Sequence, residues 1–279
     1  KNKVTKFINS NYKVRKLVLR SKKIKLFPTI SIYKKQFIQY NFVKGEIFYK
    51  LVNEKNFLKL LNLLKKNLWI KLKNKEIKDT CRKFYFKKTQ SRIKLFSKKY
   101  KIKKDDIIKI NNITIPSIDN LLKKVPWHEI IDGIPSKIHG DLQFDNVIFD
   151  KKKFTLIDWR EDFAGNTSYG DLYYDLSKIY GGIEMNYDFI KKGKFSYNEN
   201  KKGVTYNFQS RKKLMDKLEL KFRSFLKENN FSLKKIEILK CIIYLNMSPL
   251  HEFPFDKLLF SHGKFELFRI LKKYEYYPK

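Results

Sequence analysis

The chain has 279 residues, 42% of them hydrophobic and 16% aromatic, which is enough apolar side chain to bury a sizeable core and excludes a disordered polymer. Lys and Arg number 63 against 28 Asp and Glu, a formal charge of +35, yet only eight of the 63 are Arg. A surplus of Lys, Asn and Ile spread along the whole chain fits codon bias and a diffusely basic surface, and it argues against a dedicated nucleic-acid reader, which favours the planar Arg fork. Cys81 and Cys241 lack metal-ligand spacing, no apolar run is long enough to span a bilayer, and KNKVTKFINSNYK holds no signal-peptide core. A reducing, cytoplasmic setting is expected.

In chain order, KVTKFI reads as a short strand and YKVRKLVLRSKKI as a basic helix with Val14, Leu17, Val18 and Ile24 on its apolar side. FPTISIY and QFIQYNFV read as two strands, the second closed by a turn at Lys44-Gly45. From Glu46 the pattern is helical: NFLKLLNLLKKNLWIKL repeats Leu at helical spacing, and KEIKDTCRKFYFKKTQSRIKLFSKKY continues it. Pro116 and Pro126 cut the next region into short pieces. KIHGD, NVIFD and FTLIDW then read as brief apolar strands, the last two joined by a KKK turn. GDLYYDLSKIYGG begins with acids suited to a helix N-terminus. KKGKFSYNENKKGVTYNF is expected as a surface hairpin or mobile loop, followed by helices around RKKLMDKLELKFRSFLKEN and LKKIEILKCIIYLNM, the Pro-punctuated SPLHEFPFDKLLF, and a last helix.

The segment from Lys137 to Asp162, KIHGDLQFDNVIFDKKKFTLIDWRED, concentrates carboxylates in a chain otherwise crowded with Lys. Asn146 follows Asp141 by five residues and Asp158 follows it by 17. A strand, a tight turn and a returning strand cover that distance, so the three side chains can converge at one edge. Asp and Asn oxygens are hard ligands suited to Mg²⁺ that also coordinates substrate phosphates. A further carboxylate can accept a hydroxyl proton and hold the nucleophile in line with a γ-phosphate. This is a phosphoryl-transfer site in outline.

HGDLQFDN followed by LIDW resembles the catalytic and metal-binding motifs of the aminoglycoside phosphotransferase and choline kinase family, small-molecule kinases with a protein-kinase-like fold: His-x-Asp, Asn five residues later, then Asp after a short apolar strand. The resemblance implies a bilobal α+β fold, with a small N-lobe, whole or truncated, over residues 1–45 and a helical C-lobe over 46–279. It implies ATP and Mg²⁺ as cofactors, Asp141 as catalytic base, Asn146 and Asp158 as metal ligands, and His139 as a structural residue of the catalytic loop. Gly140 and Trp159, where protein kinases carry Arg and Phe, favour the small-molecule branch. Asp171 and Asp175 resemble the acids that open the next helix, at least one of them bracing the loop through backbone hydrogen bonds. FIQYNFVKGEIF looks like the hinge strand, whose backbone between Asn41 and Val43 would hold adenine, and Lys6 is the candidate nucleotide-binding Lys. Its usual helix Glu is absent, since the first acid is Glu46, and no Gly-rich loop precedes it. Either the lobe is truncated at residue 1 or groups such as Lys3, Lys13 or Arg15 supply the phosphate contacts.

The implied reaction moves the ATP γ-phosphate to a hydroxyl of a small molecule: a sugar, an aminoalcohol or an aminoglycoside-like acceptor. The C-lobe lysines would repel cationic acceptors and suit anionic sugars or surface-polysaccharide precursors. Arg160 and Glu161 lie where an acceptor could reach, whereas His251 and His262 read as packing or surface residues. Two alternatives stay open: a catalytically silent nucleotide-binding protein, suggested by the missing Lys-Glu pair, and a basic binder of nucleic acid or membrane surface. No specific nucleic-acid partner is expected.

Overall fold

The computed structural model describes residues 2–73, 75–103 and 106–277. Strand β1 (Lys3–Phe7) lies antiparallel to β3 (Phe37–Asn41), which pairs on its other side with β2 (Ile30–Lys34). Alternation in β3 turns Ile38 and Tyr40, each 3% exposed, to the inner face. Between β1 and β2 runs α1 (Asn11–Lys23), which buries Val14, Leu17 and Val18 but also Lys16 and Arg20. Buried bases need partners, and here they come from across the cleft.

The link into the larger body turns at Gly45, where φ is +130° and an added Cβ would stand 2.8 Å from the Phe149 carbonyl oxygen; only Gly fits there. β4 (Glu46–Ile47) follows, then α2 (Phe48–Leu51) and α3 (Glu54–Asn67), the latter capped by the Asn53 side chain accepting from the Asn56 amide at 2.9 Å. The Leu-rich run was expected to stay helical through LWIKL. It stops at Asn67 because the chain is used next as a pairing edge: the Leu72 amide donates to the Pro135 carbonyl at 2.8 Å and Lys71 bridges to Ser136. Helix α4 (Lys78–Cys81), a π-helical turn over Arg82–Lys87 and α5 (Lys88–Tyr100) form one continuous rod.

A hairpin of β5 (Ile108–Ile110) and β6 (Ile113–Ile115) precedes α6 (Ile118–Lys124) and α7 (Trp127–Ile130), and β7 is only Pro135–Ser136. KIHGD was expected as a strand. Residues 137–141 form a loop because side chains, not a neighbouring strand, take its backbone groups: Asp175 accepts the amides of His139 and Gly140, and Arg20 donates to the Ile138 carbonyl. A 3₁₀ turn at Phe144–Asn146 leads into β8 (Val147–Phe149) and β9 (Phe154–Leu156), which join β4 in a three-stranded sheet. Their turn is held by Asp150, whose Oδ1 accepts from the Lys152 and Lys153 amides at 2.9 and 2.6 Å.

After β10 (Gly170–Asp171), which pairs with β7, comes α8 (Leu172–Glu184), buried on nearly every side. It packs against α11 (Leu233–Met247), and α11 against α12 (Phe255–Lys273), the heart of the core. Between them in sequence lie α9 (Tyr187–Lys191), the hairpin of β11 (Phe195–Asn200) and β12 (Gly203–Phe208), and α10 (Lys212–Glu228). The polar stretch expected as hairpin or loop is the hairpin, and β12 adds parallel to β5. The α+β expectation holds, and the architecture is protein-kinase-like.

Candidate active site

Two cavities meet in one cleft. The first, about 400 Å³, lies under the β1–β3 face and is lined by Lys6, Leu17, Ile38 and Tyr40. The second, about 670 Å³, reaches into the helical body past Asp141, Asn146 and Lys178. Lys13, Asp158, Trp159 and Glu161 line both.

The loop between them is built by α8. Asp175, fully buried, accepts the His139 amide at 2.7 Å, the Gly140 amide at 2.8 Å and the Trp69 indole N–H at 3.2 Å. Burial nevertheless pushes its carboxyl up to about 6. His139, also fully buried, accepts the Asp141 amide on Nδ1 at 3.1 Å and lies with Nε2 2.8 Å from the Ile157 carbonyl. Those partners assign the Nε2–H tautomer. Burial drives the ring down to about 4, so it is a neutral strut. Gly140 has φ +86°, and an added Cβ would lie 2.7 Å from the Arg160 Cβ. Asp171 caps α8 and holds the other end: it accepts from the Ile134 amide and the Tyr85 hydroxyl, both at 2.8 Å.

Asp141 emerges from this loop into the cleft and pairs with Lys178 at 2.8 Å. Burial works to raise Asp141, but the Lys178 charge and hydrogen bond outweigh it and hold the carboxyl below its ordinary range. Asn146 donates through Nδ2 to the Asp141 carbonyl at 2.8 Å and its Oδ2 at 3.3 Å. Asp158 sits across the β8–β9 hairpin, whose end is tied by the Ile157 amide to the Asn146 carbonyl at 2.9 Å. Its φ of +57° is an uncommon conformation for Asp, imposed where the chain leaves β9. Asp141, Asn146 and Asp158 therefore share one cavity, as the spacing suggested.

Lys6 reaches across from β1 to the Asp158 carboxylate, and burial lowers its pKa. Asn41 ends β3 and is exposed, paired in the ladder with Lys3; Val43 lies in the link beyond it. The cavity wall on this strand is Ile38 and Tyr40, whereas the Phe42 amide between the two hinge positions donates to the Asn2 carbonyl at 3.0 Å. Helix α1 carries no acid. It docks instead through bases onto the segment after Asp158: Lys13 to Glu161 at 3.1 Å, Lys16 to Asp162 at 2.5 Å, and Arg20 to the carbonyls of Arg160 and Ile138. Trp159 stacks on Phe27 at 4.6 Å and donates to the Leu17 carbonyl at 3.2 Å, packing rather than facing solvent.

Several cavity residues escaped the sequence reading: Lys88, Arg92, Lys178 and Lys191. Lys178 had a signal, since it follows Asp175 by three residues and shares its helix face. Asp145 pairs with Lys191 through Oδ2, while its Oδ1 is buried without a partner.

The model of the phosphotransferase enzyme family matches residues 102–194, which include Asp141, Asn146 and Asp158. No curated protein matches the sequence. Among solved structures, the fold is similar to an ethanolamine kinase of Plasmodium vivax, with a TM-score of 0.55 at 13% identity over 96% of this chain and 77% of that one. It is similar to a choline kinase of Cryptosporidium parvum, with a TM-score of 0.51 at 13% identity over 98% and 81%. A choline/ethanolamine kinase family protein of Mesorhizobium loti gives 0.54 at 7% identity over 99% and 84%. The phosphotransferase family match is confined to residues 102–194, around the candidate site, and the fold of the chain is similar to that of choline and ethanolamine kinases. Among the described residues no helix is long and apolar enough to cross a membrane.

Proposed function

We propose that the chain moves the γ-phosphate of ATP to a hydroxyl of a sugar-type acceptor, with residues 1–45 forming the nucleotide-side lobe and 46–279 the acceptor-side lobe. The reading rests on the convergence of Asp141, Asn146 and Asp158 on one cleft. The donor set fits Mg²⁺: Asn146 spends its Nδ2 on Asp141, which leaves Oδ1 for a cation, and Asp158 offers an oxygen besides the one that Lys6 engages. Bound there, the ion would neutralise the phosphates. Lys6 would then turn from Asp158 to a nucleotide phosphate, and the backbone from Asn41 to Val43 would meet the adenine. The acceptor oxygen bonds to phosphorus as the bond to the bridging oxygen of ADP breaks, and the hydroxyl proton passes to Asp141. Lys178 keeps that carboxylate ionised and ready to accept. An anionic sugar suits the cavity because lysines and arginines line the wall.

The test is a pair of variants. Asp141→Asn should lower kcat by about 10²–10⁴-fold with Mg²⁺-ATP affinity kept. Asp158→Ala should lose the metal-dependent part of nucleotide binding. Full turnover in the first, or unchanged Mg²⁺ dependence in the second, overturns the assignment.

A further inference from the structure

The acceptor cavity has a charge imbalance that its pairing pattern isolates. Its acids are already engaged: Asp141 with Lys178, Asp145 with Lys191, Glu161 with Lys13, and Asp158 with Lys6. Three cations on the same wall, Lys88, Arg92 and Arg160, have no acid within ion-pair distance among the described residues. Lys88 and Arg92 are one helical turn apart on α5, so they present to one side. Lys88 Nζ and Arg160 Cζ approach the same Phe84 ring, 4.1 and 5.3 Å from its centroid. Arg160 is anchored by its Nε to the Gly140 carbonyl at 3.2 Å, one residue before Asp141. Two of the chain's eight arginines thus stand in one cavity, where a diffuse lysine surplus would not have put them.

Like charges gathered in a partly buried wall repel and are poorly hydrated, a cost that an arriving anion removes. Burial, then Arg160, Arg92 and Lys178, drive Lys88 down to about 7. Resting on the kinase reading, we propose that Lys88, Arg92 and Arg160 form an oxyanion site that selects acceptors bearing a phosphate or carboxylate beside the reacting hydroxyl. The planar Arg forks match such groups bidentately. A cationic aminoalcohol or aminoglycoside would meet three positive charges that have no direct ion-pair partner.

The experiment measures binding by calorimetry to the full chain saturated with Mg²⁺ and a non-hydrolysable ATP analogue. The probes are glucose, glucose 6-phosphate, glucuronate, glucosamine and choline at constant ionic strength. The two anionic sugars should bind at least tenfold tighter than glucose, and their order distinguishes phosphate from carboxylate. Lys88→Met and Arg92→Gln, each checked for a retained thermal transition, should bring them to within about threefold of glucose. Glucosamine or choline binding as tightly as the anions, absence of any anion preference, or a preference that survives both variants overturns the proposal while the kinase reading stands. Loss of Mg²⁺-dependent nucleotide binding in the unaltered chain overturns the kinase reading, and this inference with it.

Discussion

Replacing Asp175 by Ala tests how the catalytic loop is held. The carboxylate satisfies three buried donors, the His139 and Gly140 amides and the Trp69 indole, at 2.7, 2.8 and 3.2 Å. An orphaned buried donor costs about 1–3 kcal/mol, so the variant should lose about 3–6 kcal/mol after partial relaxation, a large part of a typical stability of about 5–15 kcal/mol. The loss should depend on pH. The folded-state value of Asp175, about 6, lies above its ordinary value, so the stabilisation linked to its protonation is full below about 4 and is lost as pH rises through about 6. The gap between the native chain and the variant should therefore widen by about 1 kcal/mol between pH 7 and pH 5. Urea unfolding followed by tryptophan fluorescence at both pH values measures it, and turnover should fall in step because the loop carries Asp141. A loss below about 1 kcal/mol, with turnover intact, would refute the bracing role.

Gly140→Ala forces a side chain into φ +86° and against the Arg160 Cβ; an expected cost of about 1–2 kcal/mol should appear in thermal unfolding, and turnover should fall more than Mg²⁺-nucleotide binding. Lys88 faces Arg92 on its own helix, Arg160 after β9, and Lys178 and Asp141 across the cavity. Protonated below about 7 and neutral above it, it should make glucose 6-phosphate bind several-fold more weakly at pH 8.5 than at pH 6, and Lys88→Met should flatten that dependence. Lys16→Ala leaves Asp162 without the base that reaches it from α1 and should lower stability and weaken nucleotide binding together, measured by thermal unfolding and calorimetry.

The central motif was legible because its spacing encodes a hairpin: five residues from Asp141 to Asn146, then two short apolar strands to Asp158. The helices were legible as Leu and Phe stripes. The loop at KIHGD was not, since its apolar residues resemble a strand and only the tertiary partners Asp175 and Arg20 divert its backbone. The Asn111-Asn112 turn, with φ of 46° and 68°, is a two-residue hairpin signal lost beside the Pro116 break. Lys88 and Lys178 could not be told from the other lysines, because their significance lies in which face of a buried helix they occupy and in which acids are already taken. At the hinge, alternation alone identifies Ile38 and Tyr40 as the inward pair.

Because Lys6 and Asp158 hold each other in the free protein, arrival of ligands on the proposed reading is an exchange of partners. A nucleotide alone would win Lys6 but leave a bare carboxylate facing its polyphosphate. A divalent ion alone would share the carboxylate with an ammonium group that repels it. Each visitor repairs the damage done by the other, so the two should be admitted together or scarcely at all, and neither loose phosphate nor loose magnesium should gain a firm hold on the resting molecule.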